Sequence, residues 1–262
     1  MHVERNFWQT LPWAGGHNKQ HLGLEPITNA QWLVDDKPLQ ANKLHMLNTQ
    51  YAEVIAQVPH FEPPDIADWQ LPPTLTVSDH RYPDWIANFA ANCAEDVFLL
   101  DLEDRCRLLA GCLAAPSSWS LRSKIGHPLG VIHAPVQGLN PRIGAAIQQF
   151  FQDMPLQTPY LRANWFTYGS DQYFAQGHAP LPENVEDWWL RSEQQVVYRP
   201  CTEFLLFTVR IISVPITALW EHPNTVNELR RALLSMDTHE IAHFGGQTRW
   251  EQLFKFVENA CP

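Results

Sequence analysis

Two histidines, His127 and His133, stand in the stretch "KIGHPLGVIHAPV", residues 124–136. His133 is flanked by Val131, Ile132 and Val136. An imidazole in apolar surroundings has three uses: axial ligation of a haem iron, acid–base chemistry, or plain packing with its ring satisfied by a backbone carbonyl. His127, between Gly126 and Pro128, reads as a turn residue, where an exposed histidine needs no special role.

A second constellation lies in "HEIAHFGGQTR". His239, Glu240 and His243 have the H-E-x-x-H spacing, which on a helix turns both imidazoles to one side for zinc and leaves the glutamate to activate water. The longer zinc-protease signature is incomplete. Gly246 fits it, but Arg249 occupies the place of the third ligand, and Gly245 and Gly246 stop the helix at once.

A third set is carried by apolar strands: Arg162 and Asn164 in "LRANW", Arg191 and Glu193 in "LRSEQQ", and Arg210 in "FTVRII". Strand alternation turns every second residue outward, so a solvated sheet face explains them, as does a polar pocket. In the pocket reading, a carboxylate beside guanidinium groups stays ionised and accepts an amine. No dinucleotide-binding, phosphate-loop or G-x-S-x-G pattern occurs.

These residues need a scaffold, and the patterning predicts one. Residues 1–80 read as a proline- and tryptophan-rich arm wrapping the core, with one helix over 38–57. Prolines 59, 63, 64, 72 and 73 exclude regular structure between about 58 and 74. Residues 81–262 read as the main domain. It contains a helix over 82–94, a hairpin over 96–116 turning at "DLEDR", and a helix opened by Asn140 as cap with Pro141 in its first turn. Three strands follow in 159–169, 188–200 and 202–216, and a helix over 223–236 closes the core. The expected class is α+β, an antiparallel sheet with helices on one side.

Composition narrows the function. A net charge of −10 removes the basic field that nucleic-acid binding needs, so no nucleic-acid partner is expected. The five cysteines include no C-x-x-C pair, which suits reduced thiols in the cytoplasm. The start "MHVERNFWQT" lacks the charge and hydropathy of a signal peptide, and no segment is apolar enough to span a membrane.

The segments "AEDVFLL", "APSSWSLRSKIGHPLGVIHAPV", "RANW", "LRSEQQVVYRP" and "FTVRIISVPI", in this order and spacing, resemble the haem-dependent oxidative N-demethylase family. "WLVDD" resembles its opening. The resemblance implies a PAS-like fold binding haem b, oxygen and a small secondary amine such as dimethylamine as reactants, and demethylation driven by electrons from a flavin or iron–sulfur reductase subunit. The family's I-H-x-P-V segment falls on Ile132, His133, Pro135 and Val136, which makes His133 the expected axial ligand. Lys124, Arg162 and Trp165 are the expected haem contacts, and Glu193 and Arg210 the expected groups around substrate and oxygen. The chain departs from the family pattern at His127, Gln137 and Gln194, and its "HFGG" replaces a Y-K-G run, which gives the H-E-x-x-H string an origin unrelated to zinc. A non-catalytic haem or small-ligand sensor is the alternative, with zinc hydrolysis third.

Overall fold

A computed structural model describes residues 7–16, 21–75, 81–174 and 180–260. Among the described residues seven strands form one open sheet: β1 (Glu25–Pro26), β2 (Ile55–Gln57), β3 (Asp96–Asp101), β4 (Arg107–Cys112), β5 (Tyr160–Tyr168), β6 (Trp189–Tyr198) and β7 (Phe204–Pro215). Their order is β1-β5-β6-β7-β3-β4-β2, and every neighbouring pair is antiparallel. The three long strands and the hairpin fall where branched and aromatic residues place them. At the hairpin turn, Asp101 Oδ1 accepts from the amides of Glu103 (2.9 Å) and Asp104 (3.3 Å), the local bonding for which aspartate is favoured in turns.

Residues 25–26 and 55–57 supply both edge strands. The helix expected over 38–57 divides into Lys37–Thr49 and a turn at Tyr51–Val54. The chain then leaves the helix at Ile55, because residues 55–57 pair with Cys112, Gly111 and Ala110 on the open edge of β4. The expected 82–94 helix shortens to Trp85–Ala90: Asn88 bonds both the amide and the carbonyl of Tyr82 (2.7 and 2.8 Å), which keeps Tyr82 outside it.

Helices cover both faces of the sheet rather than the one face expected. Ile211 and Ile212 are consecutive and so point oppositely. Ile211 joins Phe98, Leu205 and Val209 under Ile147 and Phe151 of the Ala145–Asp153 helix. Ile212 joins Trp165, Leu190 and Val214 against the Pro223–Ser235 and Gln247–Ala260 helices. The last of these, with Leu253, Phe256 and Val257 buried, was not foreseen and supplies the second layer. No helix among the described residues is long and apolar enough to cross a membrane.

Candidate functional site

The segment carrying His133 is pinned to β4. Leu108 donates to the carbonyl of His127 (3.0 Å) and its own carbonyl accepts from Gly126 (2.8 Å), while Pro128 bridges Arg107. Gly126 makes the turn at φ 78°, a left-handed conformation that side chains disfavour. One helical turn follows, Leu129–Ile132, with His133 as its C-cap residue. From residue 122 to 146 no residue is fully buried, but Ile125, Leu129, Ile132, Leu139 and Ile143 lean on the sheet cluster and His133 is largely covered.

Opposite lies the outer half of the same sheet face. Arg162 pairs with Gln195 and Asn164 with Glu193 across β5 and β6, so these four polar side chains share one side. Gln195 Nε2 donates to Glu193 Oε2 (2.9 Å), fixing one carboxylate oxygen. Arg162 is half-buried, and its Nε has no hydrogen-bond partner.

Charge ties the roof to the floor. Burial pushes the His133 imidazole down to about 4, with the nearby cations Arg162 and Lys124 pushing the same way, so the ring is neutral with a lone pair available near pH 7. Burial also lowers Arg162, against the opposing pull of Glu193. Arg162 therefore stands in electrostatic reach of both His133 and Glu193. Lys124 places Nζ on the carbonyl of Ile132 (3.1 Å), immediately before the histidine.

The structure thus brings together His133, Lys124, Arg162 and Glu193. Trp165 and Arg210 face the opposite side of the sheet. Trp165 is 1% exposed, with the rings of Trp13 and Phe244 at 5.4 and 5.3 Å. Arg210 bonds Gln194 across the strands and faces Glu95 and Asp36, which oppose the lowering that burial imposes on it. Two residues one apart on a strand cannot share a face, so Trp165 parts from Asn164, and Arg210 from Ile211, which pairs with Glu193. His127 is exposed, as its turn position suggested.

The H-E-x-x-H string folds as the Thr238–Phe244 helix, but Glu240 serves its N-terminus. Asp237 and Glu240 form a reciprocal capping box, and Glu240 also pairs with Arg142 at 3.4 Å. His239 is exposed, and His243 meets Phe166 edge-on at 6.2 Å. Among the described residues no group of three or more His, Cys, Asp or Glu side chains is gathered as a metal site.

Sequence reasoning passed over Gln195, whose spacing of two from Glu193 was the available signal, and read Asn140 as a helix cap. The residues 140–144 form a π-helical turn instead, and Asn140 Nδ2 donates to the carbonyl of Gly130 at 2.7 Å. Arg191, on the Glu193 side, is wholly buried and donates to the carbonyls of Ala115, Pro116, Gln172 and Tyr173. It fastens two loops to the sheet. Two surface clefts of about 500 Å³ lie elsewhere, one around His60 and Arg107 and one around Trp69 and Cys201.

A comparison with curated proteins gives no match. Residues 65–255, well over half the chain, match the family model described as haem-dependent oxidative N-demethylase, alpha subunit-like, and the chain belongs to that family.

Proposed function

We propose that the protein is the haem-binding oxygenase component of an oxidative N-demethylase, with His133 as axial ligand and a small secondary amine such as dimethylamine as substrate. The observation that carries this reading is the 122–146 segment. It is rich in Ile, Leu and Val, it buries none of them fully, and it holds a neutral imidazole over a polar row containing a partly buried arginine with an unpartnered Nε. A large, flat, apolar ligand carrying carboxylates meets each of those needs. One imidazole suffices where a macrocycle provides the other nitrogens, so the lack of a clustered metal site among the described residues does not oppose it. The chain has no C-x-x-C-H string for covalent attachment, which favours non-covalent haem b. An antiparallel sheet roofed by a short helical segment supports a PAS-like description of the core.

The residues divide the work as follows. His133, neutral, would offer its lone pair to a haem iron. The Arg162 guanidinium and the Lys124 ammonium would hold the haem carboxylates by charge. Glu193, with one oxygen held by Gln195, presents the other to an ammonium and orients the substrate's methyl group. Haem would supply oxygen activation, and with dioxygen, two protons and two electrons from a partner subunit the net products would be the demethylated amine, formaldehyde and water. That partner carries the flavin or iron–sulfur centre, for which this chain has no cysteine pattern.

Mixing the reduced, haem-loaded protein with oxygen and dimethylamine tests the reading. Formaldehyde release that Glu193→Gln lowers at least tenfold supports it. Haem binding without any formaldehyde from a panel of methylated amines would favour a sensor.

A further inference from the structure

We propose that Lys124 and Asn140 are positioning residues for His133, gripping from both sides the turn that aims its ring. The inference rests on the reading of His133 as the axial ligand and assigns to two other residues the geometry of that ligand.

The turn Leu129–Ile132 cannot hold itself. It is one turn long, far below the length at which helices persist alone, and buries no side chain; Val131 is 50% exposed. Its internal bonds are three: Val131 and Ile132 to the carbonyl of Pro128 (2.9 and 3.1 Å) and His133 to that of Leu129 (2.9 Å). The carbonyls at its end lack helical partners, as the last carbonyls of any helix do. Each is nonetheless met. Ala134 donates to Val131 at 3.2 Å, Asn140 Nδ2 to Gly130 at 2.7 Å, and Lys124 Nζ to Ile132 at 3.1 Å.

The two side chains come from opposite sequence directions, eight residues before Ile132 and ten residues after Gly130. Lys124 stands on the stretch bonded to β4, and Asn140 opens the π-helical turn leading into the Ala145–Asp153 helix, which buries Ile147 and Phe151 on the sheet. A cation on a helical C-terminus is also favourable electrostatically. The half-exposed turn is thus tied to the chain on both sides of it, and these two bonds add to the partial packing of Leu129 and Ile132 in fixing the Cα–Cβ direction of His133.

The test uses Lys124→Met, Lys124→Arg and Asn140→Ala. In haem-free protein, amide exchange at Ile132 and His133 should speed roughly tenfold in Lys124→Met and about fivefold in Asn140→Ala, as expected for loss of a charged and a neutral hydrogen bond, with Lys124→Arg near wild type. In haem-loaded protein, the iron–histidine stretching band should broaden or shift in the first two variants and recover in Lys124→Arg. Unchanged exchange overturns the proposal whatever haem does. Faster exchange with an unmoved iron–histidine band overturns it too, since the residues would then be structural only. A wild-type spectrum indifferent to His133→Ala is a separate result that removes the ligand reading itself and this inference with it.

Discussion

Lowering the pH should destabilise the haem-free protein through His133 alone by an amount that can be worked out. The ring's ordinary value of 6.5 falls to about 4 in the fold because burial, then Arg162 and Lys124, disfavour the imidazolium. The folded value is depressed, so the unfolded chain binds the proton more readily. The stabilisation is therefore complete above about pH 6.5 and is lost as the pH falls toward 4. The full span is about 3 kcal/mol at 1.36 kcal/mol per pKa unit, and between pH 7 and 5 the loss is about 2 kcal/mol. Urea unfolding of wild type and His133→Phe at pH 7, 6 and 5 isolates this contribution. Asp96, which burial raises to about 6, titrates with the opposite sign in both proteins and cancels in the difference. The wild type should lose about 2 kcal/mol more than the variant between pH 7 and 5. Equal losses would mean that the ring is solvated or paired, and would refute the neutral imidazole between two cations.

Trp165→Ala should cost about 3–5 kcal/mol in chemical denaturation, since the indole fills a core between Trp13 and Phe244, while leaving the haem spectrum of the folded fraction unmoved. Lys43→Met should cost about 2–3 kcal/mol, because the buried ammonium donates to the carbonyls of Ala90, Cys93 and Glu95, of which Ala90 and Glu95 keep only the weak Cys93 thiol or a shared amide. Glu240→Ala should cost about 1–2 kcal/mol by opening the capping box, and metal analysis should return no zinc for either protein.

Much of the scaffold was legible because its signals are local. The alternation through "LRANWFTY", "LRSEQQVVY" and "LLFTVRIISV" set the strands, and Gly245, at φ 124°, stopped its helix where the sequence indicated. What escaped was decided at a distance. Residues 55–57 became a strand only because β4 had an unpaired edge, and the helical stripe running into them could not reveal that. Asn140 in the sequence "NPRIG" has every mark of a helix cap, yet its amide goes to Gly130, a residue brought near by the turn between them. The site shows the same division. Residue types singled out Arg162, Asn164 and Glu193 but also Arg210, and which of them share a face depends on the strand boundary and register. A register fixed by one residue parts Glu193 from Arg210 and Arg162 from Trp165. The H-E-x-x-H spacing carried no information about its neighbours. Asp237 one turn earlier and Arg142 across the molecule claimed the glutamate for structure.

The most direct measurement is the absorption spectrum of the protein purified with haem supplied, beside that of His133→Ala. The account predicts a stoichiometric Soret band in the wild type that the substitution shifts or abolishes, and that exogenous imidazole restores in the variant. A band of the same position and intensity in both proteins would place the iron on another residue and contradict the account.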